Sequence, residues 1–321
     1  MPRVFLTDLG PGYREAVAGG LAFLGSAATL RPGLRVTVKP NLTFPMYRPG
    51  VMTSISAIQA LLEHLSDAGC RVTVCEADSG GYNRFSMDEV FQATGLVELA
   101  GRFGARLVNL SREAAREVLV RTGLRRRGVP LPRLLVDETD LFITMPVPKV
   151  HANTVLSGAI KNQWGVIQEP SLRLKLHPVF PYVIHAVHQA LPRTIVIMDG
   201  KYGLNRNGPM RGDPVELDWL LASDSVVAAD LTMATLMGFD WHRVPHLAFM
   251  ARRHPEAAWD GIEWNTDYRE FQRARFRLER QWTDLPGWFT FHSRVLAWLG
   301  YESRLAAPLH RLLYCFREPF Y

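Results

Sequence analysis

Residues 35–81, RVTVKPNLTFPMYRPGVMTSISAIQALLEHLSDAGCRVTVCEADSGG, carry the pattern that decides the fold. Arg35-Val36-Thr37-Val38 is a β-branched run that ends at Lys39-Pro40-Asn41. Ser54 is placed to N-cap a helix running to about Ala68, in which Ile55, Ile58, Leu61, Leu62 and Leu65 recur at helical spacing. Gly69 stops that helix. Arg71 to Cys75 then reads as a second strand, which delivers Glu76-Ala77-Asp78-Ser79-Gly80-Gly81. Strand, helix and strand in this rhythm predict parallel pairing through a right-handed crossover.

The same alternation extends outward in both directions. Residues 4–6 read as a short strand and 14–30 as a helix with an alanine-rich face. Helices at 87–94 and 97–103 precede a strand at 106–109, and 117–122 with 129–135 suggest a hairpin about a turn at 125–128. Residues 141–144 form an apolar strand, 180–191 a helix and 194–198 a strand, and Asp224 is the natural N-cap of a helix to Met237. From Trp241 the composition shifts: the remaining residues include Trp259, Trp264, Trp282, Trp288 and Trp298 among many Phe, Tyr and Arg. The expected fold is α/β, a mostly parallel sheet with flanking helices over residues 1–240. A helical, aromatic-rich C-terminal extension follows over residues 241–321. Residues 288–316 are expected as two amphipathic helices that pack on the body, on a second copy in a homodimer, or on a membrane surface.

A chain of 321 residues with 47% hydrophobic and 21% charged residues has ample material for a core. Net charge is +6 with a pI near 9.4, which suits a small anionic ligand or an acidic membrane surface. No zinc-finger, RNP-type or basic-zipper pattern accompanies it, so nucleic acid is not an expected partner. Cys70, Cys75 and Cys315 form no CxxC pair, so no intrinsic iron–sulfur cluster or zinc ribbon is expected. The sparse, odd count favours a reducing cytoplasm. The opening residues MPRVFLTDLG lack signal-peptide features, and no run approaches the roughly 20 apolar residues that span a bilayer. Cytoplasmic localisation is expected, with at most peripheral membrane association.

In a parallel sheet the carboxyl ends of the strands share one edge, and there several strands deliver chemistry. One ends at Lys39 and Asn41, and another at Glu76 and Asp78 before a Ser79-Gly80 turn whose amides can approach an anion. The strand at 141–144 leads to Lys149 and His151, closely followed by Lys161 and Asn162. The strand at 194–198 ends at Asp199. Ser79-Gly80-Gly81 lacks the spacing of a dinucleotide fingerprint or a P-loop, so no nucleotide site is read from it. His185 and His188, spaced i, i+3, are able to share a metal with His177 or a carboxylate, although surface or capping roles suit them better.

At these residues the chain resembles the family of domain of unknown function 362. The matching blocks are Val38-Lys39-Pro40-Asn41, Pro49-Gly50-Val51-Met52-Thr53, Glu76-Ala77-Asp78-Ser79-Gly80, Pro146-Val147-Pro148-Lys149-Val150-His151, and Gly158-Ala159-Ile160-Lys161-Asn162-Gln163-Trp164-Gly165. Further blocks are Ile197-Met198-Asp199-Gly200, Asn207-Gly208-Pro209, Ser223 to Asp230 and Leu236-Met237-Gly238, so the resemblance spans roughly residues 1–265. Many relatives add a cysteine-rich ferredoxin module. This chain has too few cysteines for one, and an aromatic tail instead.

The leading expectation is an enzyme acting on a small anionic metabolite or biosynthetic intermediate, bearing carboxylate or phosphate. Lys39, Asn41, Thr53, Ser79, Gly80, Lys161 and Asn162 are the expected substrate-binding residues. His151 or Lys149 transfers a proton, with Asp78 and Asp199 as further catalytic candidates. Glu76, Asp78 and Asp199 are the candidate ligands for a divalent cation, and their hard oxygens favour Mg²⁺ or Mn²⁺. A non-catalytic accessory protein, holding an anionic cofactor or lipid-linked intermediate for partners, is the second expectation. A redox protein using a partner-supplied cluster is the third.

Overall fold

The computed structural model describes residues 1–79, 85–122, 125–301 and 303–316. Twelve strands and thirteen α-helices are found among them. The strands are β1 (Arg3–Asp8), β2 (Arg35–Pro40), β3 (Arg71–Glu76), β4 (Arg106–Asn109), β5 (Ala115–Thr122) and β6 (Arg125–Pro132). They continue with β7 (Leu141–Met145), β8 (Lys149–His151), β9 (Val155–Ser157), β10 (Thr194–Asn205), β11 (Asp213–Ser223) and β12 (Glu263–Trp264). The main sheet runs β12-β1-β11-β10-β7-β2-β3-β4, with the β8–β9 hairpin attached to β10. From β10 to β4 every neighbour is parallel, as the strand–helix–strand rhythm requires.

The order of construction matters for the site. The chain lays β3 and β4 on one side of β2, then returns to place β7 and β10 on the other. Between β2 and β7 the direction of growth reverses, and such a switch point opens a crevice at the carboxyl ends of the strands.

Helices cover both faces. On one side lie α1 (Tyr13–Phe23), α2 (Ile55–Asp67), α3 (Met87–Ala93) and α4 (Leu96–Arg102). Val36, Val38, Val72, Val74, Ile143 and Met145 point into that layer, where Ile58, Leu61, Leu62 and Leu65 of α2 are fully buried. A short helix, α5 (Arg133–Val136), closes the β5–β6 hairpin. The opposite layer holds α6 (Ala159–Gln163), α7 (Pro170–Leu176), α8 (Phe180–Ala190), α9 (Val226–Leu236) and α10 (Pro245–Arg253). Phe142, Cys75, Val196 and Met198 point that way. Alternate residues of one strand thus feed two separate cores.

Two local readings are corrected, and one strand was not expected. Residues 213–223 form a long strand antiparallel to both β1 and β10, and its second half is buried on both faces, which removes the alternation that marks a strand. The helix after it is capped by Ser225, whose Oγ accepts from Ala228 N at 3.2 Å. Asp224 instead accepts from Arg3 N at 2.8 Å and Arg3 Nε at 3.0 Å, tying β1 to the sheet. Arg125 to Gly128 belong to β6 rather than to a turn, since Thr122 pairs with Arg125.

The last region contains α11 (Leu285–His292), α12 (Arg294–Tyr301) and α13 (Ala306–Tyr314), three helices where two were expected. Ser293 is extended and its Oγ accepts from Leu296 N at 3.4 Å, so it stops one helix and starts the next. β12 of the same region pairs with β1 inside the main sheet. Trp259, Trp264 and Tyr268 form a ring cluster against the body, with centroids 5.2–5.3 Å apart. Trp282 and Trp298 are exposed.

Candidate functional site

A cavity of about 170 Å³ lies at the carboxyl edge of β2, β3 and β7, lined by Lys39, Asn41, Glu76, Ser79, Lys149, His151, Lys161, Asn162, Trp164, Gly165, Arg173 and Met210 among others. A wider surface groove of about 760 Å³ beside Trp241, Trp259 and Tyr268 contains no such cluster of cations.

Lys39 is only 1% exposed and is fully engaged. Its Nζ donates to Glu76 Oε2 at 2.7 Å, Asn162 Oδ1 at 3.1 Å and the Pro40 carbonyl at 3.3 Å. Glu76 also accepts from Leu42 N at 3.3 Å and Ala77 N at 2.9 Å. The Asn162 amide donates back to the Lys39 carbonyl at 3.2 Å and to Thr144 Oγ1 at 2.8 Å. A buried ion pair survives when its remaining hydrogen bonds are satisfied, and these are. The knot joins β2, β3, β7 and α6. Gly165 permits it, because a Cβ there would sit 2.9 Å from Lys39 Nζ.

The other cavity cations form no ion pair among the described residues. Lys149 Nζ donates to Asn41 Oδ1 and to the Val51 carbonyl, both at 2.8 Å. Burial, reinforced by repulsion from Lys39, pushes it down to about 7. Lys161 has neither hydrogen bond nor ion pair among the described residues, and its ammonium lies 5.5 Å from the Trp164 ring and 5.0 Å from the Phe180 ring. Burial pushes it down to about 7 as well, with Arg173 and Lys149 adding repulsion. Arg173 reaches the Asp78 carbonyl, yet its buried Nε finds no partner, and burial lowers it to about 10. Lys149, Lys161 and Arg173 converge on this small cavity, and none of them forms an ion pair among the described residues; the nearby Glu76 and Asp78 charges offset the burial of Arg173 only in part.

His151 stands in the same wall. Its Nδ1 accepts from Asn153 N at 3.1 Å, so in the neutral ring the proton sits on Nε2. Burial first, then Lys161 and Lys149, hold its pKa well below the ordinary histidine range. Its β8–β9 hairpin partner Val155 adopts φ 71°, an outlier for a β-branched residue. Two further histidines, His177 and His246, flank Phe180 and are kept neutral by burial.

The expected residues therefore divide. Lys39, Asn41, Glu76, Ser79, Lys149, His151, Lys161 and Asn162 come together at one cavity. Thr53 lies behind it, accepting from Asn41 N at 2.8 Å and donating to the Met145 carbonyl at 2.7 Å. Asp78 is turned to Met87 N at 2.7 Å and Asn109 Nδ2 at 3.0 Å. Asp199 accepts from Tyr13 OH at 2.7 Å, Ser54 N at 2.8 Å and Lys201 N at 3.1 Å, in a separate knot outside the lining. Gly80 falls outside the described residues. Glu76, Asp78 and Asp199 thus do not meet, and among the described residues no three His, Cys, Asp or Glu side chains are arranged to hold a metal ion. His185 instead faces His254 at 3.3 Å, while His177 sits among aromatic rings.

Arg173, Trp164 and Met210 are cavity residues that the sequence did not single out. Glu169-Pro170 is the overlooked signal for Arg173, since proline at a first helical position starts α7.

A family model described as Domain of unknown function (DUF362) matches residues 36–235, which contain every lining residue of the cavity. The chain is also similar to the thylakoid-associated protein sll1697 of Synechocystis sp. (strain ATCC 27184 / PCC 6803 / Kazusa). The two are 24% identical over 237 residues, 71% of this chain and 70% of the relative. No solved structure matches the chain.

Proposed function

The chain belongs to the family of domain of unknown function 362, and for this member we propose an enzyme that binds a small carboxylate- or phosphate-bearing substrate and transfers a proton with lysine and histidine. One observation carries the reading: Lys149, Lys161 and Arg173 face a single cavity without an ion pair among the described residues, beside a neutral His151. An anion entering the cavity supplies the missing counter-charge in a low-dielectric site, where each contact is strong. A lysine whose pKa lies near 7 is deprotonated often enough to serve as a base. The Nε2–H of His151 is a donor that orients the substrate or returns the proton. Lys39, Glu76 and Asn162 hold the geometry.

Isothermal titration with sulfate and phosphate tests this. The wild-type chain should bind, and Lys161→Met should lose binding with little change in melting temperature, because Lys161 makes no hydrogen bond or ion pair among the described residues and methionine keeps its apolar stem against the rings. Retained anion binding, or a large stability loss, would overturn the assignment.

A second reading, an accessory protein that presents an anionic cofactor or lipid-linked intermediate, is favoured by the exposed aromatic helices after residue 282. No helix among the described residues is long and apolar enough to cross a membrane. The relative's name, thylakoid-associated, supports a peripheral membrane location for this chain too. Proton exchange into bound substrate candidates separates the readings, since an accessory protein would bind and catalyse none.

A further inference from the structure

The cavity wall and the C-terminal helices share residues. Arg173 comes from α7, and α7 with the following residues 177–179 packs directly against α11. The His177 ring meets Phe291 of α11 edge-on at 4.3 Å and stacks on Phe180 at 5.4 Å. Phe180 in turn lies 4.8 Å from Trp164, and both rings lie beside the Lys161 ammonium. A continuous row of rings therefore leads from the cationic cavity to α11.

Beyond that row the protein presents oil to solvent. Of the sixteen large apolar side chains exposed among the described residues, ten lie between Trp282 and Phe316. Leu309 and Leu312 of α13, with Leu305 at its N-cap and Phe316 just beyond its end, are exposed at spacings of three and four residues. Residues 285–316 contain Arg294, Arg304 and Arg311 against the single acid Glu302. An apolar helix stripe in a segment with exposed tryptophan and an excess of arginine matches an anionic lipid surface, which takes the side chains into its interface and pairs the cations. A second copy would set the same arginines against one another.

We infer, resting on the anion-binding reading of the cavity, that its ligand is the phosphate or carboxylate head of a hydrocarbon-chain amphiphile, drawn from an anionic bilayer on which α11–α13 rest. The head occupies the site of Lys149, Lys161 and Arg173. The hydrocarbon chain leaves the cavity past Trp164, the ring of the row that lines it.

The experiment compares inorganic phosphate with octyl phosphate, kept below its micelle concentration, by titration calorimetry on the full chain. Octyl phosphate should bind at least about tenfold more tightly, because several methylenes leave water, and should displace phosphate from the same site. Vesicles of phosphatidylcholine containing phosphatidylglycerol should sediment the protein, and pure phosphatidylcholine should not. Leu309→Ser with Leu312→Ser, both on the solvent side, should abolish sedimentation and leave phosphate binding intact. Equal affinities for the two phosphates, absence of sedimentation with anionic vesicles, or a stable dimer that hides the stripe would each overturn the inference while leaving the anion site standing. Failure of phosphate itself to bind would sink both readings.

Discussion

Lys161 is the residue on which most turns. It is a cation set over two aromatic rings, without an acid to balance it, and burial brings its pKa to about 7 beside Lys149 at the same value. In the unfolded chain both titrate near 10.5. Between these limits the unfolded state holds protons that the folded state has released, so unfolding free energy rises with pH across that window. A bound anion reverses the preference and keeps both ammonium groups charged. Sulfate, which does not titrate in this range, should therefore bind with proton uptake at about pH 8, and more weakly as pH climbs above 7. Calorimetry in buffers of differing ionisation heat measures the uptake, and a value of zero would refute the buried-lysine account. At this scale the sequence was informative about Lys149, His151 and Lys161, because lysine and histidine in a glycine- and asparagine-rich loop add little to a core. It was silent on engagement. That Lys39 is neutralised by Glu76, or that Asp199 serves Tyr13 and Ser54, depends on contacts between residues far apart in the chain.

Among elements, α6 is the piece that sets the site. It is one short turn, and the Asp230 carboxylate caps it by accepting from Ala159 N at 2.6 Å and Ile160 N at 2.9 Å. Gly158 makes the approach possible, since a Cβ there would collide with Asp230 Oδ1 and lie 2.7 Å from Met233 Sδ. Gly158→Ala should cost about 1–3 kcal/mol, the range for overpacking a tight core, and should weaken sulfate binding because α6 carries Lys161. Thermal denaturation and titration read both effects, and an unchanged melting temperature would mean the contact is loose. The glycines in the motif blocks were legible as a pattern but not as a cause: Gly158, Gly165 and Gly200 each stand where a neighbouring side chain leaves no room. The parallel strands were legible too, having β-branched runs with turn residues at their ends. β11 was not, for burial on both faces erased its alternation, and the α6–α7 segment was too short to establish a helical period.

For the whole molecule, the two cores and the C-terminal helices differ in how firmly they are held. From residue 285 onward, Ala297 and Ala306 are the buried apolar side chains among the described residues, whereas β7 is buried throughout its length and β2 at every position but Arg35. Hydrogen exchange should therefore find α11–α13 open first and the β2–β7–β10 core last, and anionic vesicles should slow exchange in α11–α13 alone. Uniform protection would contradict this ranking. The α/β class and the aromatic tail were readable from composition and rhythm, whereas the return of β12 to the sheet edge was not, as two residues give no period. The antiparallel seat of β1 has a further consequence, for biosynthesis. Val4 to Asp8 pair with residues 219–223, and Arg3 accepts through its carbonyl from Ser223, 220 positions away. At ordinary ribosomal speeds the first strand waits roughly ten to forty seconds for that partner to be made. Through that interval Val4 and Leu6 lack the strand that will bury them, and slow codons before residue 219 would lengthen the exposure.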